Sequence, residues 1–120
     1  MGFNKESRVL MTLENRKIVE EVIAEERRLA VLCLLKGPFN GAVNERLLLN
    51  VLRGIGLPSS RESVRACLDS LEKIGSIKID WQGALAVAWL TSRGEEIARG
   101  LVEVEGVSKP KVDCVYWDLK

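Results

Sequence analysis

Ser60, Arg61, Ser63 and Arg65 carry the clearest chemistry in this sequence. An arginine fork matches guanine O6 and N7, and serine hydroxyls reach phosphate oxygens. Lys73 and Lys78, a little further on, would add positive charge to the same contact. That chemistry is recognition of double-stranded DNA, not bond making. The paired carboxylates Glu20-Glu21, Glu25-Glu26 and Glu95-Glu96 stand beside Arg27, Arg28, Arg93 and Arg99. They read as solvated helix charges in i,i+4 pairs. The chain has no histidine, which removes the commonest general base and metal ligand. Cys33, Cys67 and Cys114 lack metal or redox spacing, and the first two fall on apolar helix faces as small core residues. No glycine-rich phosphate cradle and no nucleophile–base pair is recognisable. The expectation is a protein that is not an enzyme, with no cofactor, no metal and no small-molecule ligand.

The element that must carry these side chains is the stretch Pro58 to Gly75. Val64, Cys67, Leu68, Leu71 and Ile74 recur at three- and four-residue intervals, the period of one buried helix face. Ser59 and Glu62 have capping-box spacing, and Gly75 stands where a helix ends in a left-handed turn. Opposite the apolar face lie Arg61, Glu62, Arg65, Ala66, Asp69, Glu72 and Lys73, so the exposed side is locally neutral. Arg61 and Arg65 sit near the end of the helix that reaches base edges when such helices enter the major groove.

Two helices are expected upstream of Glu25 and just after it. Val9 to about Ala24 forms an arm with a possible break near Asn15, and Glu25 to Lys36 is apolar nearly all round, hence central. The arm reads either as an extra packing helix or as a dimerisation arm. Gly37-Pro38 ends the central helix and Phe39 to Val43 is a connection with Phe39 at the core edge. Asn44 caps a helix over Glu45 to Arg53, whose buried face is Leu47, Leu48, Val51 and Leu52. Gly54, Gly56 and Pro58 turn the chain into the Arg61 helix.

Downstream the period changes to two. Ile77, Ile79 and Trp81 alternate with polar residues, Gln82-Gly83 is a tight turn, and Leu85, Val87 and Trp89 share one face of the return strand. Thr91 caps a last helix from Ser92 to about Gly100. Helix, turn, helix and hairpin in that order predict an α+β winged helix-turn-helix over residues 25–101, with an N-terminal arm over 1–24 and a docked tail over 102–120. Within the tail, Val112 to Leu119 is too apolar to remain solvated.

Lys+Arg 18 against Asp+Glu 17 gives a net charge of +1, so no global basic field advertises nucleic acid. With 47% hydrophobic residues the chain is expected to be a globular domain. Neither a secretory signal nor a run long enough to span a bilayer is visible, which predicts a cytoplasmic protein without a membrane partner.

Five segments carry a resemblance: Ala24-Glu-Glu-Arg-Arg-Leu-Ala-Val-Leu-Cys-Leu-Leu35, Asn44-Glu-Arg-Leu-Leu48, Ser60-Arg-Glu-Ser-Val-Arg-Ala-Cys-Leu-Asp-Ser-Leu-Glu72, Leu90-Thr-Ser-Arg-Gly-Glu-Glu-Ile-Ala-Arg-Gly100 and Val104-Glu-Gly-Val-Ser-Lys-Pro110. In order and spacing they resemble the small winged-helix proteins of Mu-like bacteriophages and prophages. The resemblance implies a winged-helix fold, a phage or prophage origin, a bacterial host cytoplasm and a DNA-binding role. It places Ser60, Arg61 and Arg65 in the recognition-helix motif and brings no catalytic residue or cofactor. Two functions follow as expectations. One is a homodimeric transcriptional regulator that binds duplex DNA. The other is a winged-helix module for protein association and assembly.

Overall fold

Helix α1 (Lys5–Lys36) has no glycine or proline in its 32 residues, so nothing in its backbone chemistry stops it. In a computed structural model, backbone is described for residues 5–110 and side chains for residues 13–110. Where one helix over Val9 to about Ala24, open to a break near Asn15, and a second over Glu25 to Lys36 were expected, one uninterrupted rod of about 48 Å runs through both. An asparagine inside a helix costs only a few tenths of a kcal/mol, too little to break it. The Val9–Leu10 patch and the Val112–Leu119 tail lie outside the residues whose side chains are described.

The rod has two unlike halves. Leu29 to Leu35 are all buried and form the axis of the core, as their all-round apolarity requires. Residues 13 to 22 are all exposed.

Strand β1 (Ala42–Asn44) follows a turn in which Asn40 and Gly41 both take positive φ. This strand was expected to be part of a connection. Three residues are too few to show a period, which is why it escapes a pattern reading. Asn44 ends β1 and caps α2 (Glu45–Gly54), its Oδ1 accepting from Leu47 N at 2.8 Å. Leu48 and Leu52 of α2 are buried, but Leu47, expected beside them, is 47% exposed. After Leu57 comes α3 (Arg61–Lys73), with Val64, Cys67, Leu68 and Leu71 inward, and then β2 (Ile77–Gln82), β3 (Leu85–Leu90) and α4 (Ser92–Ala98). The described residues therefore form an α+β fold of four helices and one three-stranded antiparallel sheet, ordered β1-β3-β2.

The sheet register decides which hairpin residues see the core. Ile77, Ile79 and Trp81 pair with Leu90, Ala88 and Ala86, so these six share the inner face. Leu85, Val87 and Trp89 do share one face, but it is the outer one. Small Ala86 and Ala88 are the residues packed against the helices, while Trp89 is 50% exposed. The two-residue turn is Gly83-Ala84, one step later than expected, and Gly83 supplies φ +62°.

Helix α4 docks on the α3–β2 turn through Thr91. Its hydroxyl donates to Gly75 O at 2.7 Å and accepts from Gly94 N at 3.1 Å. Gly75 takes φ +78°, the left-handed stop expected of it. Beyond α4 the chain folds back along α1: Val102, Val104 and Val107 pack on the core, and Ser108 N donates to Glu25 O at 3.3 Å.

Candidate nucleic-acid interface

The first turn of α3 is closed by serines. Ser60 Oγ accepts from Ser63 N at 3.0 Å, and Ser63 Oγ accepts from Ser60 N at 2.7 Å while donating to Ser60 O at 2.9 Å. This is a capping box one residue later than Ser59 and Glu62, with serine in the place usually held by glutamate. Ser59 is taken by another element. Its Oγ accepts from Arg27 Nε at 3.0 Å and donates to Leu57 O at 3.0 Å. Ser60 and Ser63, read as phosphate ligands, thus spend these bonds on starting the helix.

Arg61 stands exposed on that first turn, pointing no described hydrogen bond inward. Arg65, one turn on, is half-exposed but tied down by three hydrogen bonds. Its Nε donates to Glu45 Oε1 at 2.6 Å, and its Nη2 donates to Glu45 Oε2 at 2.9 Å and to Ala84 O at 3.0 Å. Trp81 lies against the same guanidinium, 5.0 Å from ring centroid to Cζ. One side chain therefore ties α3 to the start of α2, to the hairpin turn and to the last inward residue of β2.

Glu45 is the other half of this brace. Its side chain is 6% exposed, and Oε2 also accepts from the buried Ala86 N at 2.6 Å. The hydrogen bond from Arg65 holds its carboxyl below the usual carboxylate range, against the upward push of burial, and Ala86 N and Arg61 add to the lowering. The same hydrogen bond raises Arg65. In the sequence Glu45 stands out only as an acidic residue in the first turn of its helix, where it complements the dipole. A glutamate directly after the Asn44 cap was its whole signal, and nothing in the sequence links it to a partner 20 residues away.

The remaining predicted contacts do not gather at this spot. Lys73 is at the far end of α3, about 18 Å from Arg61, and pairs with Asp69 at 3.2 Å. Lys78 projects from the outer sheet face opposite Trp89, the pleat turning it away from Ile77 and Ile79. Glu72 Oε2 accepts from Ile79 N at 3.2 Å, which fastens α3 to β2. Other basic residues of the domain are engaged elsewhere. Arg53 Nε donates to Ser59 O at 2.9 Å, Arg93 Nε to Ile74 O at 2.8 Å, and Lys109 pairs with Glu103 at 3.0 Å.

Two arginines read as solvated surface charges are structural. Arg27 is 8% exposed and reaches from α1 to Ser59 Oγ and to Pro58 O. Arg28 Nη1 donates to Gly106 O at 2.7 Å. Both lie on the half of α1 that enters the core, where a charged side chain persists only with hydrogen-bond partners. Cys33 and Cys67 are buried among the core residues, and burial pushes the Cys67 thiol up to about 12. Cys114 lies outside the described residues. No helix among the described residues is long and apolar enough to cross a membrane.

An uncharacterised protein of Escherichia phage Mu, gp26, is 32% identical over 94 residues, which cover 78% of this chain and 97% of that protein. The chain belongs to the family of phage Mu gp26. Its phage or prophage origin rests on this kinship. No protein-family model matches the chain, and no solved structure matches it. The gp26 kinship covers most of the chain but attaches no activity to it, so the reading of the site rests on its geometry.

Proposed function

We propose that this member of the gp26 family is a winged helix-turn-helix protein that binds duplex DNA and regulates phage genes. The observation that carries the reading is the exposed Arg61 on the first turn of α3, beside a hairpin that Arg65 fixes to that helix. Helices α2 and α3, followed by a hairpin closed by β1, supply the scaffold of a reading helix with a wing. Arg61 is the base-contacting candidate. Arg65 positions the wing, because a guanidinium already gripping Glu45 and Ala84 has little left for a base edge.

The test is fluorescence anisotropy of labelled mixed-sequence duplex titrated with protein at about 50 mM salt and then at rising salt. Binding that weakens with salt is expected. Once an operator is selected, Arg61→Ala should weaken specific binding by about 1–3 kcal/mol. Arg61 is the clean probe, since replacing Arg65 would also loosen the hairpin.

A second reading has its own observation. With Lys73 neutralised by Asp69, Arg65 by Glu45, and Glu62 exposed beside Arg61, the face offers a polyanion little net charge. The same scaffold would then serve protein association in phage assembly. Absence of DNA binding even at low salt would favour it.

A further inference from the structure

Trp81 ends the inward row of β2, yet it is 53% exposed. Its ring is not free to turn away. The Arg65 guanidinium lies over it, and that guanidinium is fixed in turn by Glu45 and by Ala84 O. The indole is therefore held in the corner between α3 and the hairpin turn. Arg61 stands one helical turn from Arg65 on the same side of α3. Three carboxylates that would repel phosphate here are each met by a donor. Glu45 is paired with Arg65, Asp69 with Lys73, and Asp80 accepts from Gln82 Nε2 at 3.0 Å.

We infer that Trp81 packs on the deoxyribose of bound duplex DNA, at the wall of the groove that α3 enters. The major groove is about 12 Å wide, and an α-helix with its side chains is about 10–12 Å across, so α3 fills it from wall to wall. Whatever is packed beside that helix then meets the wall, which is sugar–phosphate backbone. On the hairpin side of Arg65 that residue is Trp81. Deoxyribose presents C–H groups, against which an indole loses water without needing charge. This suits a chain of net charge +1, because the contact adds affinity that phosphate neutralisation does not supply. A sugar contact carries no base information, so Trp81 positions the duplex while Arg61 reads it. The inference rests on the duplex-DNA reading and adds to it a residue and the part of the DNA it touches.

The experiment compares full-length variants in the anisotropy titration, on a selected operator and on mixed-sequence duplex. Trp81→Ala should weaken binding to both by about 10-fold or more, with an unchanged log–log salt slope. Trp81→Phe should recover most of that loss. Trp89→Phe, on the outer sheet face, should leave binding as it was. A second readout leaves the site intact and decides the matter if Trp81→Ala fails to fold. With Trp89→Phe and Trp117→Phe in place, Trp81 is the one tryptophan left of three, and saturating duplex should shield its emission from acrylamide. No shielding, or a folded Trp81→Ala protein that binds as tightly as its parent, would overturn the inference and leave the duplex reading standing. A loss confined to the operator would overturn it too, since that marks a base contact. A chain that binds no duplex at any salt would overturn both.

Discussion

Glu45 shows how much one side chain can hold when it is buried. It joins α2, α3 and β3 through Arg65 and Ala86 N, and each of those bonds requires the carboxylate form. Its folded-state pKa is lowered, so the unfolded chain takes up the proton first as pH falls. The stabilisation is therefore complete above the ordinary glutamate value of 4.5 and is lost progressively as pH drops below it. Urea midpoints should be level from neutrality down to about pH 5 and then fall. In Glu45→Gln the part of that fall owed to this site should vanish, leaving a shallower acid limb. An acid limb identical in the two proteins would show that the bridge contributes nothing. Glu45→Ala should cost about 1–3 kcal/mol in urea unfolding, because Ala86 N would be left buried without an acceptor. The sequence announces the Asn44 cap but not this bridge. Capping is a local rule read over three residues, whereas the Arg65 partnership depends on the angle at which α2 and α3 meet.

Elements whose signals are local were legible, and those set by their neighbours were not. The periodicity of α3, the Asn44 and Thr91 caps, the Gly75 stop and the two hairpin strands follow from spacing and turn chemistry. Strand β1 exists because β3 offers an edge to Ala42–Asn44, and that edge is invisible in three residues of sequence. The inner face of β3 was equally hidden: Ala86 and Ala88 look too small to be core until the helices close on them. Gly94 belongs to this class. A β-carbon there would stand 2.1 Å from Ser76 O and 2.7 Å from Leu90 Cδ1, so α4 can dock on the α3–β2 turn only with glycine at that position. Gly94→Ala should destabilise the domain by about 2–3 kcal/mol, since backbone on one side and core on the other leave little room to yield. Gly54→Ala is the matching control. Its added methyl meets nothing within 4 Å and its φ is not in the left-handed region, so stability should hold or rise by up to about 1 kcal/mol. Equal urea midpoints for the two variants would contradict the close approach at Gly94.

For the whole molecule, the charge inventory limits how DNA binding can look. A net charge of +1 gives no long-range pull toward a polyanion. Within the described fold, Arg27, Arg28, Arg53, Arg65, Lys73, Arg93 and Lys109 already hold partners of their own. A domain whose basic groups are so largely committed can neutralise only a few phosphates through those that remain exposed near α3 and the sheet, such as Arg61, Arg46 and Lys78. With about 0.9 added to the salt slope per phosphate, two to four contacts give a log–log slope of roughly −2 to −4 per bound chain. Affinity should then drop about 16- to 250-fold between 50 and 200 mM salt. This separates the bound states cleanly. A slope near −10 would require groups now held by partners to reach phosphates, and hence a domain that opens the Glu45–Arg65 bridge on binding. A shallow slope with a clear loss on Arg61→Ala would mean that the first turn of α3 reads bases with little help from backbone charge.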